Sequence, residues 1–476
     1  RQIKMLGLAG TYTQILDENR AIMRGLSAPY GLSYTPGMWL NSIQVSKGVA
    51  SVTAGHEAIT GQINLEHRKP TDEERLFLNL YFDNELKPEI NLSTALPVTK
   101  DKRLSTVILA HGSMDTKSYD HNKDGYRDMP MSRQFDIANR WLYQGKNGAQ
   151  IRWGAKYIND HRTGGQLSYK RSLKRDAEDG TPWYEQWRKK GIYGSEIANE
   201  EVNAYFKLGR PVGKAVFDKE ESSELRSNVA FVVDYDYFNE DAYFGADKGY
   251  TGRQHMVNAN LLYAHYFTPR SSLNVGLSAS TRFVDEALTD RTWSRLGEWG
   301  TMDESRSLLT MNRNESEAGA FAEYTYSIKE KLSIVAGVRY DYNTFLKKHL
   351  VTPRGHIKWN ITPTTVLRAS AGLGYRPTDI VTDNIGILAT GRRIIFDWGN
   401  EADGGGFKQF DRMESALTAG ASFAQTISTI NYRDMTICVD YFRTQLYNTV
   451  LADQELSGSD IRIYNTDNRS FTDTYQ

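Results

Sequence analysis

The sequence has 476 residues, of which 39% are hydrophobic and 24% are charged, and Lys plus Arg and Asp plus Glu each number 58. This balance leaves no basic footprint of the kind that binds nucleic acid, so nucleic acid is excluded as a partner. No run of about 18 apolar residues is present, which excludes a membrane protein built from helices. A membrane β-barrel is not excluded, because its lumen face and loops are polar.

The first informative stretch, residues 42–66, holds two short strand patterns separated by Gly48, Gly55 and Gly61. Small residues at this spacing allow one backbone to pass close to another. A glycine-rich hairpin of a soluble β protein is one interpretation. The pattern of the remaining residues, 67–476, decides between this interpretation and a membrane protein.

From about residue 73 the sequence becomes a succession of period-two patterns, about sixteen in all. In one of them Leu273, Leu277 and Phe283 fall on one face and Arg282 on the other. A wall between lipid and a wet lumen requires this alternation. The clearest runs are 149–157, 273–283, 332–342 and 367–375.

Short and long connections alternate between these strands, as in outer-membrane barrels with short periplasmic turns and long outer loops. A soluble sandwich has no reason to sort its loops in this way, and no blade repeat of about 40–50 residues suggests a propeller. The short connections are 99–102, 144–148, 268–271, 327–331 and 362–365. The long connections are expected at 115–131, 160–199, 239–252, 284–316 and 376–413.

The glycine-rich stretch resembles the last part of the plug domain of TonB-dependent outer-membrane transporters. That pattern runs I-x-V-x-[KR]-G, then S-x-x-x-G, then A-x-x-G-x-I-N, and Arg24-Gly25-Leu26 also resembles a plug segment. The pattern is met by Ile43, Val45, Lys47, Gly48, Ser51, Gly55, Ala58, Gly61, Ile63 and Asn64. The resemblance implies an all-β fold: a transmembrane antiparallel β-barrel, with about 22 strands when complete, around an N-terminal plug.

Two domains are expected: residues 1–70 as the C-terminal part of the plug, and residues 71–476 as a barrel that lacks its last strands. Residues 464–467 have the pattern of a strand with more barrel to follow. An unfinished barrel would expose two unpaired edges to lipid. The chain also opens at Arg1 without a signal peptide. We therefore expect a piece of a longer, exported protein.

The resemblance further implies active import across the bacterial outer membrane, driven through TonB, of a scarce metal chelate, with iron-siderophore favoured. Cobalamin, haem and copper remain open as cargo, and so does a non-transporting surface binding protein or complex subunit. The implied partners are TonB, outer-membrane lipid, the chelate cargo and a possible surface lipoprotein. The plug argues against a passive porin. An enzyme is not expected, because no G-x-S-x-G, H-E-x-x-H or P-loop motif occurs.

Residues 27–39 depart from the commonest plug form, which has an Asp-Gly-Val turn here. Since plug loops of the family face the outer vestibule, the candidate cargo contacts in this stretch are Tyr30, Tyr34, Met38 and Trp39. Packing of the same side chains against the barrel wall is the alternative. The inward-facing Arg282 and Arg339 are further cargo candidates, with Arg152 and Arg368, because cations attract an anionic chelate. Pairing with nearby carboxylates is their alternative.

Residues 120–128 follow D-x-N-x-D-G, the front half of a calcium-binding loop. The predicted ligands of a structural Ca²⁺ are Asp120, Asn122, Asp124, the Tyr126 carbonyl and Asp128. The acidic residue expected at the twelfth position is replaced by Met131. A solvated acidic turn is the alternative.

Soft ligands for copper or haem iron are scattered in one strand-loop segment, but their spacing does not converge on a site. They are His111, Met114, His121, Met129 and Met131. The Asn-Pro-Asp-Leu box of haem receptors is absent; its nearest counterpart lies at 374–379. The single cysteine, Cys438, has no partner for an internal disulfide, and we expect a buried thiol on a strand.

Overall fold

The structure is a computed structural model. It describes residues 3–71, 74–170, 178–218, 223–292, 308–396, 413–428, 434–466 and 468–476. Its strands form a four-stranded sheet near the N-terminus, a sixteen-stranded sheet and a small three-stranded sheet. No helix in these ranges is both long and apolar enough to span a membrane.

The four-stranded sheet has the order β2-β1-β4-β3, with β1 parallel to β4 and the other pairs antiparallel. Its strands are β1 (Thr13–Asp17), β2 (Arg20–Ile22), β3 (Leu40–Lys47) and β4 (Gly61–His67). Gly61 lies opposite Lys47 in the β3–β4 ladder. A Cβ atom at Gly61 would lie 2.2 Å from the carbonyl oxygen of Ser46. The close backbone approach expected from the glycine spacing is found at this position.

The sixteen-stranded sheet is antiparallel throughout, and its strands are neighbours in chain order. The described residues contain the predicted number of long-sheet strands. They are β5 (Phe77–Phe82), β6 (Pro88–Pro97), β7 (Leu104–Met114), β8 (Met131–Gln144), β9 (Gln150–Gly165), β10 (Gly194–Asp218), β11 (Ser223–Phe244), β12 (Lys248–Thr268), β13 (Ser271–Asp290), β14 (Leu308–Ile328), β15 (Leu332–Asn343), β16 (Lys348–Thr362), β17 (Thr365–Pro377), β19 (Met413–Ser428), β20 (Asp434–Tyr447) and β23 (Ser470–Tyr475).

The two faces of the large sheet alternate as predicted. On β13, Leu277 and Phe283 are exposed on the outer face and Arg282 is buried on the inner face; on β15, Val338 and Tyr340 are exposed in the same way. Large apolar side chains therefore cover the outside of the sheet, as a lipid-facing surface requires. Polar side chains line the inside.

Some predicted loop bounds are wrong. The expected long loop at 239–252 is a connection of three residues, because β11 continues to Phe244 and β12 begins at Lys248. Strand also replaces both ends of the loop expected at 160–199, since β9 reaches Gly165 and β10 begins at Gly194. These strand ends carry polar residues on both faces, so the apolar–polar alternation that reveals the rest of each strand is lost there. The middle of the loop expected at 284–316 lies outside the described residues.

A small sheet of order β18-β22-β21 lies apart from the large one. Its strands are β18 (Arg393–Phe396), β21 (Val450–Asp453) and β22 (Asp460–Asn465). The pattern at 464–467 was expected to begin a further strand of the large sheet. Residues 464 and 465 belong instead to the small sheet, and Asp467 lies outside the described residues. A strand pattern cannot tell which sheet the strand will join.

The helices are short. They are the α-helices α1 (Trp183–Lys190) and α2 (Ile380–Asp383), and the 3-10 helices Gly10–Tyr12, Gly25–Ser27, Gly31–Tyr34, Gly37–Trp39, Val52–Ala54 and Ile385–Ala389. Helix α1 packs through the buried Trp187 onto Tyr243 of β11. It therefore covers part of the rim of the large sheet.

The large sheet surrounds the N-terminal unit. We call residues 3–71 the plug, and its predicted end near residue 70 falls in the connection between β4 and β5. Hydrogen bonds reach the plug from strands spread round the large sheet, namely β8, β9, β10, β11, β12, β14, β15, β16, β19, β20 and β23. The plug therefore fills the lumen of a barrel.

Candidate functional site

The apex of the plug is fixed to the barrel wall by two tyrosines. The Tyr30 and Tyr34 rings stack with centroids 5.9 Å apart. The Tyr30 hydroxyl donates to Glu240 at 2.6 Å, and the Tyr34 hydroxyl donates to Asp160 at 3.2 Å. Phe238 stacks on the other side of Tyr30. Both tyrosines are buried, so aromatic packing and hydrogen bonds together fix this part of the plug.

A half-buried ion pair connects two segments of the plug. Arg24 binds the carboxylate of Glu57 with two N–H groups, at 2.8 and 2.5 Å, in the bidentate geometry that favours this pairing. Its third contact is to the wall, where Nη1 donates to Asn258 at 3.0 Å. Burial raises the pKa of Glu57, but the Arg24 guanidinium outweighs it and lowers this pKa to about 2. The pair is therefore charged at any physiological pH.

One side of the plug borders a polar cavity, which we call the hydrated seam because it has room for water. A cavity of about 80 Å³ lies between the plug and strands β11 to β15, with room for several water molecules. Its lining is mostly polar, with plug residues such as Gln14 and Arg20 facing wall residues such as Asp234 and Ser280. A hydrated seam of this kind lets two surfaces exchange hydrogen bonds with water when they separate.

Next to this cavity, an arginine of the neighbouring strand β16 binds the loop between β3 and β4. Arg354 of β16 is buried and points into the loop between β3 and β4. Its two terminal nitrogens donate to carbonyl oxygens of this loop at 2.9 to 3.2 Å. The acceptors are Ala50, Ser51, Gly55, His56 and Ala58. This single side chain therefore supplies donors to five carbonyl groups of the loop, one of which, that of His56, also accepts from the backbone N–H of Tyr375.

A second buried contact surrounds an acidic turn of the plug. Glu18 lies among cationic side chains of the wall: Arg140 makes a close ion pair with it, and Arg152 and Lys207 each lie 3.8 Å from its Oε2. Arg152 was predicted to face inward, and its partner here is a plug carboxylate. The turn is thus anchored by charge complementarity.

The outer mouth is covered by residues 378–396, which we call the lid. The lid follows β17 and places Ile380, Val381 and Leu388 in one apolar cluster with Tyr250 of β12 and Leu288 of β13. Its first carboxylate, Asp379, accepts a hydrogen bond from Arg282 at 2.8 Å and also pairs with Arg313. The lid therefore reaches from the end of β17 to strands β12, β13 and β14.

Comparison with known proteins agrees with this architecture. The family model described as "TonB dependent receptor-like, beta-barrel" matches residues 110–470, most of the chain. The protein belongs to the TonB-dependent receptors. No curated protein matches this receptor.

Solved structures similar to the receptor are barrels of the same class. The siderophore receptor PirA from Pseudomonas aeruginosa has a TM-score of 0.60 at 12% identity, over 99% of this chain and 74% of that one. The alcaligin outer-membrane receptor FauA from Bordetella pertussis gives 0.59 at 12% identity, over 95% and 66%. The pyoverdine receptor FpvA from P. aeruginosa gives 0.66 at 13%, over 99% and 68%. At these identities the likeness establishes the fold.

The structure places three of the predicted cargo residues of the receptor in packing contacts with the wall, and their contact with cargo stays a prediction. Tyr30, Tyr34 and Trp39 are buried, and Trp39 packs against the wall residues Val107 and Leu109. A buried side chain that already bonds the wall cannot contact cargo without a rearrangement. Met38 is half-buried beside them.

The two predicted arginines are also paired. Arg282 binds Glu315 at 2.6 Å and Asp379, and Arg339 binds Asp341 with two N–H groups, at 2.7 and 2.6 Å. Contact of either guanidinium with a chelate would therefore require a change of partner, and it stays a prediction. Arg368, by contrast, is exposed.

The carboxylates of the predicted calcium loop accept hydrogen bonds from other residues of the same loop. Asp120 accepts from the backbone N–H groups of Asp124 and Gly125 at 3.1 and 3.0 Å, and Asp128 accepts from the His121 imidazole at 2.6 Å. Within the described ranges no three His, Cys, Asp or Glu side chains are grouped to hold a metal ion. Calcium binding by Asp120, Asn122, Asp124, Tyr126 and Asp128 stays a prediction.

Sequence reasoning missed Arg354, Glu57 and the lid carboxylate Asp379. A signal existed for Arg354: Val351, Ile357 and Trp359 are exposed on the outer face of β16, and alternation then places residue 354 inside. No comparable signal marks Glu57 or Asp379, because each lies in irregular chain.

The surroundings of His56 in the plug predict that the stability of the receptor depends on pH. It is buried, with Nδ1 3.5 Å from Asp341 and Nε2 3.9 Å from Glu317. Burial disfavours the charged imidazole, but Glu317 and Asp341 outweigh it and raise the pKa of His56. The folded pKa thus lies above the unfolded value of about 6.5. The stabilisation is complete below that value and is lost as pH rises through the folded pKa.

We therefore expect the midpoint temperature of plug unfolding in the native receptor to decrease as the pH is raised from about 6 to about 9. In His56→Asn this decrease should be smaller. Differential scanning calorimetry across this range measures it. His121→Asn is the control, since that side chain is 73% exposed in an outer loop. Equal slopes in His56→Asn and the native protein would contradict the assignment.

Proposed function

We propose that the receptor imports a scarce metal chelate across the bacterial outer membrane, with an iron siderophore as the favoured cargo and TonB as the source of energy. The observation that carries this proposal is the plug that fills the barrel lumen and is fixed to the wall by buried charges such as the Glu18–Arg140 pair. A filled lumen does not let cargo diffuse through. Transport therefore requires work to rearrange the plug.

Three features support this function. The membership of the family implies coupling to TonB. The hydrated seam beside β11 to β15 gives the plug a surface along which it can separate from the wall. Similar structures include receptors described as binding pyoverdine and alcaligin, which favours a siderophore over cobalamin, haem or copper.

Uptake measurements test the proposal. The full-length receptor is expressed in an iron-starved outer-membrane host that lacks its own siderophore receptors, with and without TonB. We expect uptake of radioactive iron from at least one ferric siderophore in a panel, and its loss in the strain without TonB. Cyanocobalamin and haem are tested in parallel.

Two results would contradict the proposal. Uptake that is unchanged without TonB would indicate passive passage. Tight binding with no uptake of any cargo, in a host whose TonB drives another receptor, would favour a surface binding or complex subunit.

A further inference from the structure

A buried charge cluster connects the lid, the wall and the plug. Arg282 of β13 and Arg313 of β14 both bind the Asp379 carboxylate of the lid. On the wall itself, Glu315 binds both arginines, at 2.6 Å from Arg282 and 2.9 Å from Arg313, and Glu286 pairs with Arg313. All five side chains are less than one-tenth exposed.

The wall part of this cluster is balanced without the lid. Among the described residues it holds two cations, Arg282 and Arg313, and two anions, Glu286 and Glu315. Release of Asp379 therefore leaves no uncompensated buried charge on the wall, which is the usual reason that breaking a buried pair is so unfavourable. It removes the oxygen that Asp379 supplies to Nη1 of Arg282, and this N–H group then requires another acceptor.

The surface beneath the lid matches a ligand with an apolar body and an anionic group. The lid contributes Ile380, Val381 and Leu388 to an apolar patch that includes Phe244 and Leu288 of the wall. Its carboxylate lies beside this patch on the two arginines. The lid thus occupies both the apolar part and the cationic part of the vestibule.

We infer that Arg282 and Arg313 form an oxyanion subsite, that Asp379 of the lid occupies it in the closed receptor, and that a carboxylate or similar oxyanion of the cargo displaces Asp379. This inference rests on the proposed function for the identity of the ligand as cargo. It assigns the cargo class as anionic, and it assigns the lid as a competitor of the cargo. Arg uses its planar fork to bind either carboxylate equally well.

The same guanidinium reaches the plug. A Cβ atom built at Gly25 would lie 2.4 Å from Nη1 of Arg282, and Nη1 is the atom that binds Asp379. A change of acceptor that moves the Arg282 guanidinium therefore changes its contact with the plug segment that contains Arg24. Displacement of the lid and movement of the plug share one side chain.

The first test needs no cargo. Backbone hydrogen exchange of the lid is compared in the native receptor and in Asp379→Asn, where the carboxylate charge is removed at constant size. We expect exchange of the Asp383 and Ile387 amides, which are bonded within the lid, to be at least about tenfold faster. Asp453→Asn is the matched control, because this half-buried carboxylate bonds within the β21–β22 hairpin. Unchanged exchange in Asp379→Asn would overturn the inference.

The second test uses citrate as a probe of the subsite. Millimolar citrate is expected to accelerate lid exchange in the native receptor, whereas sodium chloride at matched ionic strength and glucose are not. The Arg282→Gln variant should lose the effect of citrate. This variant is preferred to one at Arg313, whose loss would remove a buried cation that pairs with Glu286 and leave this carboxylate with the neutral Tyr250 hydroxyl. No acceleration by citrate, or equal acceleration by chloride, would overturn the oxyanion subsite.

The two proposals fail separately. Lid exchange is measured on the purified receptor and does not depend on TonB. If uptake fails while citrate opens the lid, the transport function is wrong and the subsite stands. If uptake succeeds while both exchange tests fail, the subsite is wrong and transport stands.

Discussion

Permeability to vancomycin and proteolysis of the plug are expected to rise together when Arg354 is replaced by Ala. The native guanidinium donates to five carbonyl oxygens of the loop between β3 and β4. Each buried carbonyl left without a donor costs about 1–3 kcal/mol. Even with partial compensation by water, we expect the plug to lose at least about 3 kcal/mol of stability.

Two variants make this result specific. Arg368→Ala removes an exposed arginine from the neighbouring strand β17. It should leave the permeability to vancomycin and the proteolysis of the plug unchanged. Arg354→Lys keeps the charge but loses the planar fork, so an intermediate effect is expected. If Arg354→Ala behaves like Arg368→Ala, the loop is held by other contacts and the role of Arg354 is wrong.

Gly61→Ala is expected to prevent correct assembly of the plug. The added Cβ would lie 2.2 Å from the Ser46 carbonyl oxygen and 2.7 Å from the Met5 sulfur, and Gly61 has a φ of +154°. A backbone atom cannot move away without breaking the β3–β4 ladder. Overpacking of this kind typically costs about 1–3 kcal/mol, and more where backbone must shift.

Protease resistance of the plug in the purified receptor measures this effect. We expect Gly61→Ala to yield a folded barrel with a digested plug. Gly37→Ala is the control, since a Cβ at this plug glycine meets no atom within 4 Å. Native resistance in Gly61→Ala would show that the ladder can adapt.

The sequence predicts the barrel well because alternation is a local signal. Each residue of a lipid-facing strand must match its neighbour two positions away, as Leu277 and Phe283 show. The signal fails where strands continue beyond the lipid, so the loop expected at 239–252 is strand for most of its length. It also cannot assign β22 to the small sheet, because both sheets use the same strand pattern.

The site is predicted less well because its partners are distant in sequence. Tyr30 is 210 residues from Glu240, and Arg354 is about 300 from the carbonyls that it binds. Residue type alone identifies an inward arginine, as for Arg282, but not whether it meets cargo or a carboxylate. The contacts of the lid are still harder to predict, because Asp379 lies in irregular chain that has neither the period of a strand nor that of a helix.

Cys438 was expected to be buried and is exposed. By alternation it shares the face of Asp440 and Phe442 on β20, where Lys47 of the plug reaches Asp440 at 3.1 Å. The thiol therefore opens onto the aqueous lumen beside the plug. The receptor thus carries its own chemical reporter: the rate at which a water-soluble maleimide modifies Cys438 measures, in unmutated protein, how much of the lumen the plug leaves open during a transport cycle.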